Sequence, residues 1–210
     1  MSSSPTPWQN TTHDWARTVD AKHLATIRGD PTAYAPTGVL HLVLEVLAYA
    51  ADEAESGSRV GHCTVALHRD GSVSVSDDGR GTDTRRDEQG EPVKKPVMAT
   101  KDLRFFDFPD AEQLPDGHPR RGMSVVAALS SWLVHTNRRL EGSWTQRYEH
   151  GIPVTGLRPA PPQSGTGTTV HFLPDASIDA PKLTLAAELV PALAAFTQLD
   201  VEIVGARGWL

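Results

Sequence analysis

Residues 74–81 read Ser-Val-Ser-Asp-Asp-Gly-Arg-Gly, and they carry the buried side of a strand directly into a carboxylate. Upstream, the apolar residues Cys63, Val65 and Leu67 occupy alternate positions, a turn follows, and Val73 and Val75 resume the same period of two. This pattern predicts a hairpin whose apolar side chains share one face. Asp77 falls on that face. A carboxylate there is costly unless hydrogen-bond donors reach it, so the protein or a ligand must supply them.

The residues after Asp77 predict a turn that allows close approach of another molecule. Asp78, Gly79, Arg80 and Gly81 end the strand, and glycines tolerate backbone angles that other residues avoid. An Asp-Asp-Gly sequence after a strand is most often only a turn or a helix cap. A ligand site is therefore predicted only in combination with a second element.

That second element is the apolar segment at residues 39–54, VLHLVLEVLAYAADEA. It has almost no helix breaker, and its apolar residues occupy nearly the whole circumference, which predicts a buried helix. Glu45 lies in its middle. A carboxylate in such a helix is either paired, with His41 or Arg80 as the candidates, or held ready for chemistry.

Together these segments resemble the ATPase domain of the B subunits of bacterial DNA gyrase and topoisomerase IV, within the GHKL class of ATP-binding proteins. The similar segments follow one another in the family's order: 27–34 (entry loop), 40–46 (nucleotide-binding helix), 77–81 (adenine motif), 122–130 (helix behind the phosphate loop), 148–151 and 166–174. An ordered series of motifs is far more specific than a single glycine motif.

The resemblance implies an α/β (α+β) two-layer sandwich with a mixed, largely antiparallel sheet and helices on one face, the GHKL or Bergerat ATP-binding fold. Residues 1–20 are expected to form an N-terminal arm and residues 21–210 the ATP-binding domain, with 82–121 in the position of the family's lid. The transducer and DNA-handling domains of the family are expected to be absent. Strands are expected near 132–137, 144–150, 168–173 and 200–204, and a helix from about residue 182, interrupted or kinked near Pro191.

The same resemblance implies the site residues. Asp77 would accept the adenine amino group, and Thr168 would share a bridging water. Glu45 would be the general base that polarises the attacking water, with Arg80 as its ion-pair partner. The other nucleotide-binding positions implied are Gly79, Gly81, Gly122, an arginine at the pocket rim (Arg139), and the apolar walls Val46, Val75 and Val170.

Two departures from the family affect the phosphate half of the site. Tyr49 stands where the family has the asparagine that holds magnesium, and a phenol is a poor replacement for an amide oxygen. Pro119, Arg120 and Arg121 replace the glycine-rich loop whose N–H groups cradle phosphates. ATP is therefore the expected cofactor, with magnesium in doubt and no metal-ligand residues assigned. Together with Arg104, the two loop arginines either attract phosphate by charge or form a solvated basic patch.

The amino-acid composition of the chain limits the remaining functional classes. With 210 residues, 39% of them hydrophobic, the chain is long enough for one substantial core, and its net charge of -6 argues against direct DNA binding. A single cysteine excludes an intramolecular disulfide framework, and scattered histidines argue against zinc. No segment is expected to span a membrane or act as a signal peptide, so the expected location is the cytoplasm.

These observations predict a stand-alone gyrase B-like ATPase domain that binds ATP, hydrolyses it slowly if at all, and has no self-sufficient topoisomerase activity. For the N-terminal arm, packing of Trp8 and Trp15 on their own domain is the preferred expectation, and a homodimer formed through the arm is the alternative. A protein partner that supplies the missing domains is a further candidate. The alternative function is a non-catalytic gyrase-like decoy or regulator that binds another adenine-like or coumarin-type ligand.

Overall fold

The computed structural model describes residues 19–82, 112–161, 164–178 and 185–205. Its helices are α1 (Ala21–Gly29), α2 (Pro31–Tyr34), α3 (Val39–Ser56), α4 (Met123–Ala128) and α5 (Leu185–Leu193). Its strands are β1 (Gly61–Leu67), β2 (Val73–Asp77), β3 (Ser130–Arg139), β4 (Gly142–Glu149), β5 (Ile152–Pro153), β6 (Arg158–Pro159), β7 (Gly167–Pro174) and β8 (Leu199–Gly205).

The strands form one eight-stranded sheet in the order β5-β4-β3-β7-β2-β1-β8, with β6 beside β4. Strands β1 and β8 are parallel. Every other pair is antiparallel. The sheet is therefore mixed and largely antiparallel, and with its helices it confirms the predicted α/β fold class.

The core lies between one face of the sheet and the helices. Helix α3 packs against β1, β2 and β8, and α4 packs against β3 and β4. Strand register places Leu133, Phe172, Val73 and Leu67 side by side across four strands, and all four are buried. Full burial of each such side chain stabilises the fold by roughly 2 kcal/mol.

Helix α3 is the centre of this core, as its all-round apolar character predicts. Eleven of its residues are buried, among them Glu45, and it ends at Gly57, whose N–H donates to the carbonyl of Glu53. The stretch Pro31–Ser56 is apolar and long enough to cross a membrane by length and composition alone. However, 61% of its most apolar window is buried inside the fold, as is typical of a core helix.

The β1–β2 hairpin has the predicted register. Val65 lies opposite Val75, and Cys63 lies opposite Asp77. Directly opposed residues of an antiparallel pair share one face, so Asp77 lies on the helix-covered face of the sheet, as predicted. Burial raises the pKa of the Cys63 thiol to about 12, and the charge of Asp77 adds to this effect.

The predicted C-terminal strand is confirmed, whereas the predicted helix is not interrupted at Pro191 and continues to Leu193. Pro191 lies inside α5, and the strand predicted at residues 200–204 is β8, which runs parallel to β1. The arm at residues 1–18, most of the lid segment (83–111) and residues 179–184 lie outside the described residues. The domain boundaries at residues 20 and 21 therefore stay predictions.

Candidate functional site

Asp77 ends β2 with a half-buried carboxylate that is held on one side only. Its Oδ1 accepts the backbone N–H of Gly79 at 2.8 Å and that of Thr168 at 3.2 Å. Within residues 19–82, 112–161, 164–178 and 185–205, no donor is bonded to Oδ2. Burial raises the pKa of Asp77, and the two N–H donors oppose this rise. The site therefore presents one acceptor oxygen on the helix-covered face of the sheet.

The residues around Asp77 form a row across the strand ends. Thr168 is paired with Asn137 of β3, and Asn137 is buried. The side-chain Nδ2 of Asn137 donates to the carbonyl of Thr82 at 2.6 Å, which ties the turn after β2 to β3. Sequence reasoning did not identify Asn137, because nothing in its local sequence shows that β3 ends beside this turn.

Glycines near Asp77 are required by the protein's own packing. A Cβ on Gly167 would lie 1.9 Å from the carbonyl oxygen of Asp77, and one on Gly81 would lie 2.5 Å from that of Arg138. A Cβ on Gly79 would lie 2.7 Å from Cγ of Glu53. Each distance is shorter than any ordinary contact, so these positions exclude larger residues whether or not a ligand lies against them.

The three valines predicted to form the apolar walls of the site are buried, and two of them lie on the same strands as Asp77 and Thr168. Val75 is paired with Val170, and each stands two residues from Asp77 or Thr168 on the same strand and face. Val46 is buried on α3, which packs against β2. At the other side of the turn, Arg139 Nη1 donates to the carbonyl of Gly81 at 3.1 Å.

Arg80 binds Glu53, so the predicted Arg80–Glu45 ion pair is wrong. Arg80 donates from its backbone N–H (3.1 Å) and from Nε (2.6 Å) to Oε1 of Glu53, and from Nη2 to Oε2 at 3.0 Å. Although burial alone raises the pKa of Glu53, these bonds lower it below its usual value. Glu53 follows Glu45 on α3 by two turns, which brings it level with the end of β2.

Glu45 instead faces the loop before α4, where it is fully buried. Its Oε1 accepts the backbone N–H of Arg121 in a short hydrogen bond, and its Oε2 accepts that of Gly122 at 3.0 Å. Nε2 of His41 lies 3.6 Å from Oε1, so His41 is the contacting partner of the two candidates. Both oxygens of the predicted general base are therefore occupied by the protein itself.

A second carboxylate extends this network beyond His41. Nδ1 of His41 lies 2.7 Å from Oδ2 of Asp116, and Thr37 Oγ1 donates to the same oxygen at 2.6 Å. Burial by itself lowers the pKa of His41, but the bonds and charges of Asp116 and Glu45 raise it to about 9. His41 therefore lies between the carboxylates of Asp116 and Glu45, and its Nε2 has no hydrogen-bond partner among the described residues. Sequence reasoning missed Asp116, because an aspartate in a loop has no periodic pattern around it that would indicate its partner.

Arg120 is buried and already paired, so the predicted alternatives of a phosphate clamp and a solvated patch are both wrong for this residue. Its Nη2 donates to Oδ2 of Asp52 at 2.8 Å, and its Nη1 donates to both oxygens of Glu112, at 2.9 and 3.1 Å. Its guanidinium carbon lies 4.8 Å from the centre of the Tyr49 ring. Arg121 contributes its backbone N–H to Glu45, and Arg104 lies outside the described residues.

The residues at Tyr49 do not fit a magnesium ion. Magnesium requires oxygen ligands in octahedral geometry, whereas Tyr49 carries a guanidinium over its ring and Asp52 is bonded to the same cation. In the part of the chain that the structure describes, no group of three or more His, Cys, Asp or Glu residues could hold a metal ion. The side chains of Tyr49 and Asp52 are instead engaged by the guanidinium of Arg120.

Sequence comparisons relate the chain to one group of proteins. It is 37% identical to the B subunit of DNA gyrase from Haloferax volcanii over 167 residues, which cover 74% of this chain and 26% of the relative. It is 35% identical to the B subunit of DNA topoisomerase 4 from Bacillus subtilis over 139 residues (66% and 21%), and 34% identical to the gyrase B subunit of Mycobacterium tuberculosis over 170 residues (81% and 23%). The chain thus spans about a quarter of the length of the curated relatives it matches. No family model matches the sequence.

Proposed function

We propose that this chain, which is a gyrase B-like domain by its homology to the B subunits of DNA gyrase and topoisomerase IV, binds ATP and other adenine nucleotides and hydrolyses ATP slowly or not at all. The observation that carries this proposal is the carboxylate of Asp77, which has one oxygen fixed by two backbone donors and the other without a donor among the described residues. We assign no self-sufficient topoisomerase activity to the chain.

The geometry at Asp77 supports recognition of adenine. The exocyclic amino group of adenine is a donor, and it would satisfy Oδ2 while the ring lies between the apolar residues Val46, Val75 and Val170. Guanine carries a carbonyl oxygen at the equivalent ring position, which would place an acceptor against a carboxylate. A half-buried site built around an acceptor rejects such a ligand strongly, because the polar groups of both partners stay unpaired.

The arrangement at Glu45 supports weak hydrolysis. A general base must reach the water whose proton it accepts, within hydrogen-bond distance. Both oxygens of Glu45 accept N–H groups from residues 121 and 122, and the adjacent His41 is held by Asp116. Glu45 is thus positioned as a structural acceptor, and turnover requires the loop at residues 121–122 to release it.

The cellular location and the binding partners of the protein are also part of this proposal. We place it in the cytoplasm, with a protein partner or a second copy of the chain as the source of any further phosphate contacts. The net charge of -6 makes direct DNA binding unfavourable, since phosphate contacts need a concentrated basic surface.

Calorimetric titration of the purified chain with adenosine, ADP and ATP, and with guanosine as the control base, tests the proposal. We expect all three adenine ligands to bind and guanosine to bind at least about tenfold more weakly. Binding of none of the adenine ligands would overturn it. ATP turnover measured on the same sample at about 1 per second or faster, the range of ordinary enzymes, would contradict the claim of weak hydrolysis.

A further inference from the structure

Arg120 is a buried cation whose anionic partners reach solvent. None of its side chain is exposed, whereas the side chains of Asp52 and Glu112 are 42% and 54% exposed. Its Nη1 and Nη2 groups are bonded to these two carboxylates, and the Tyr49 ring lies beneath the guanidinium. The guanidinium is therefore held through Nη1 and Nη2, while its buried Nε has no hydrogen-bond partner among the described residues.

This cation lies next to Glu45. The residue after it, Arg121, donates its backbone N–H to Glu45. On α3, Tyr49 and Asp52 follow Glu45 by one and two turns, so the three side chains form one stripe along the helix. The stripe faces residues 112–122, and Arg120 binds its far end.

The acceptors that Arg120 engages are therefore closed to a divalent ion. A metal ion would have to take Asp52 and Glu112 from the guanidinium, which would leave a buried charge without partners at a cost of several kcal/mol. Arg120 cannot escape this cost by losing its proton. Although burial lowers its pKa, the bonds and charges of Asp52 and Glu112 raise that pKa well above the usual range.

We propose that Arg120 is a built-in cation that takes the place of a divalent metal ion in this site, so that the chain binds adenine nucleosides and nucleotides independently of metal. The proposal rests on the function proposed above and names its ligand class. Because Nη1 and Nη2 are bonded to carboxylates, Arg120 gives a phosphate chain little attraction. Most of the affinity comes from the base, and adenosine, ADP and ATP bind with dissociation constants within about tenfold of one another.

The first test is titration of the wild-type chain with adenosine and with ATP, each in excess Mg²⁺ and in EDTA. The expected change in ATP affinity between the two conditions is less than about threefold, and adenosine affinity is unchanged. ATP binding that Mg²⁺ strengthens by tenfold or more, with adenosine unaffected, would overturn this inference while leaving adenine recognition intact. Loss of binding by both ligands would instead overturn the proposed function.

The second test is the variant Arg120→Gln, which removes the cation and leaves the carboxylates of Asp52 and Glu112 beside Tyr49. We expect Mg²⁺ and Mn²⁺ at millimolar concentration to raise the thermal unfolding midpoint of this variant and not that of the wild type. The matched control is Arg59→Gln, which removes the guanidinium bonded to the exposed carboxylate of Asp78 and should gain no metal response.

A folded Arg120→Gln variant with no metal-dependent shift would contradict the proposal. If the variant does not fold, the comparison of Mg²⁺ and EDTA on the wild type decides the question alone.

Discussion

The backbone N–H of Thr168 donates to the carboxylate of Asp77 across 3.2 Å, and this bond joins the start of β7 to the end of β2. Together with the N–H of Gly79 it fixes the orientation of the carboxylate before any ligand arrives. A fixed acceptor loses little conformational freedom on binding, which favours affinity for a single complementary donor.

The close approach of β7 to Asp77 requires glycine at position 167. Gly167 has a φ of 137°, and a Cβ there would lie 1.9 Å from the carbonyl oxygen of Asp77. We expect Gly167→Ala to lower the free energy of unfolding by at least about 3 kcal/mol, measured by denaturant titration. The control is Gly156→Ala, where nothing lies within 4 Å, and its effect should stay within about 0.5 kcal/mol. Equal stability of the two variants would contradict the packing described.

The ion pair of Arg80 with Glu53 holds the turn after β2. The side chains of Arg80 and Glu53 are 64% and 28% exposed, so solvent screens their attraction. We expect a double-mutant cycle of Arg80→Gln, Glu53→Gln and the double variant to give a coupling free energy of about 0.5–1 kcal/mol. We also expect Arg80→Gln to weaken adenosine binding a few-fold, because Gly79 and Arg80 share the turn. A coupling of zero in unfolding measurements would contradict the claim that this pair stabilises the turn.

His41 makes stability depend on pH. The pKa of folded His41 is raised to about 9, so it keeps its proton up to that pH, whereas the unfolded chain releases it near the ordinary histidine pKa of 6.5. The stabilisation is therefore fully present below pH 6.5 and is lost as the pH rises through 9, by up to about 3 kcal/mol. Unfolding measured between pH 6 and 10, in about half-unit steps, checks this. His41→Gln should flatten the curve across this range, and an unchanged curve would show that another group titrates.

Replacing Glu45 separates its structural role from ligand binding. In Glu45→Gln one of the two N–H groups at residues 121 and 122 would face an amide NH₂ in place of an acceptor, so we expect a loss of about 3 kcal/mol of unfolding free energy. Adenosine affinity should change by less than about twofold, because the hydrogen bonds that hold Asp77 come from Gly79 and Thr168 and do not involve Glu45. Glu55→Gln, exposed on the same helix, is the control. Full stability of Glu45→Gln would disprove the buried network.

The sequence was sufficient to predict the elements whose pattern is local. Alternation from residue 63 to Val75 predicted the β1–β2 hairpin and the face on which Asp77 lies, and the apolar circumference of residues 39–54 predicted α3. These predictions succeed because side-chain periodicity follows directly from strand and helix geometry.

Long-range partners could not be predicted in this way. Glu45 and Glu53 lie two turns apart on α3, and nothing in the sequence shows which of them reaches Arg80. The pairing of Arg120 with Asp52 joins residues 68 positions apart and depends on the path of the loop before α4. The family resemblance misassigned the partner of Arg80 for the same reason, since a matched motif gives residue types without distances.

The central claim, that Asp77 recognises the amino group of adenine, is tested most directly by the adenosine affinity of Asp77→Asn. The control is Asp78→Asn, the neighbouring carboxylate, which accepts from Arg59 and from the N–H of His62. We predict that Asp77→Asn weakens adenosine binding by at least about tenfold at unchanged fold content, and that Asp78→Asn binds within about twofold of the wild type. Adenosine binding by Asp77→Asn as tight as that of the wild type would contradict the placement of the base.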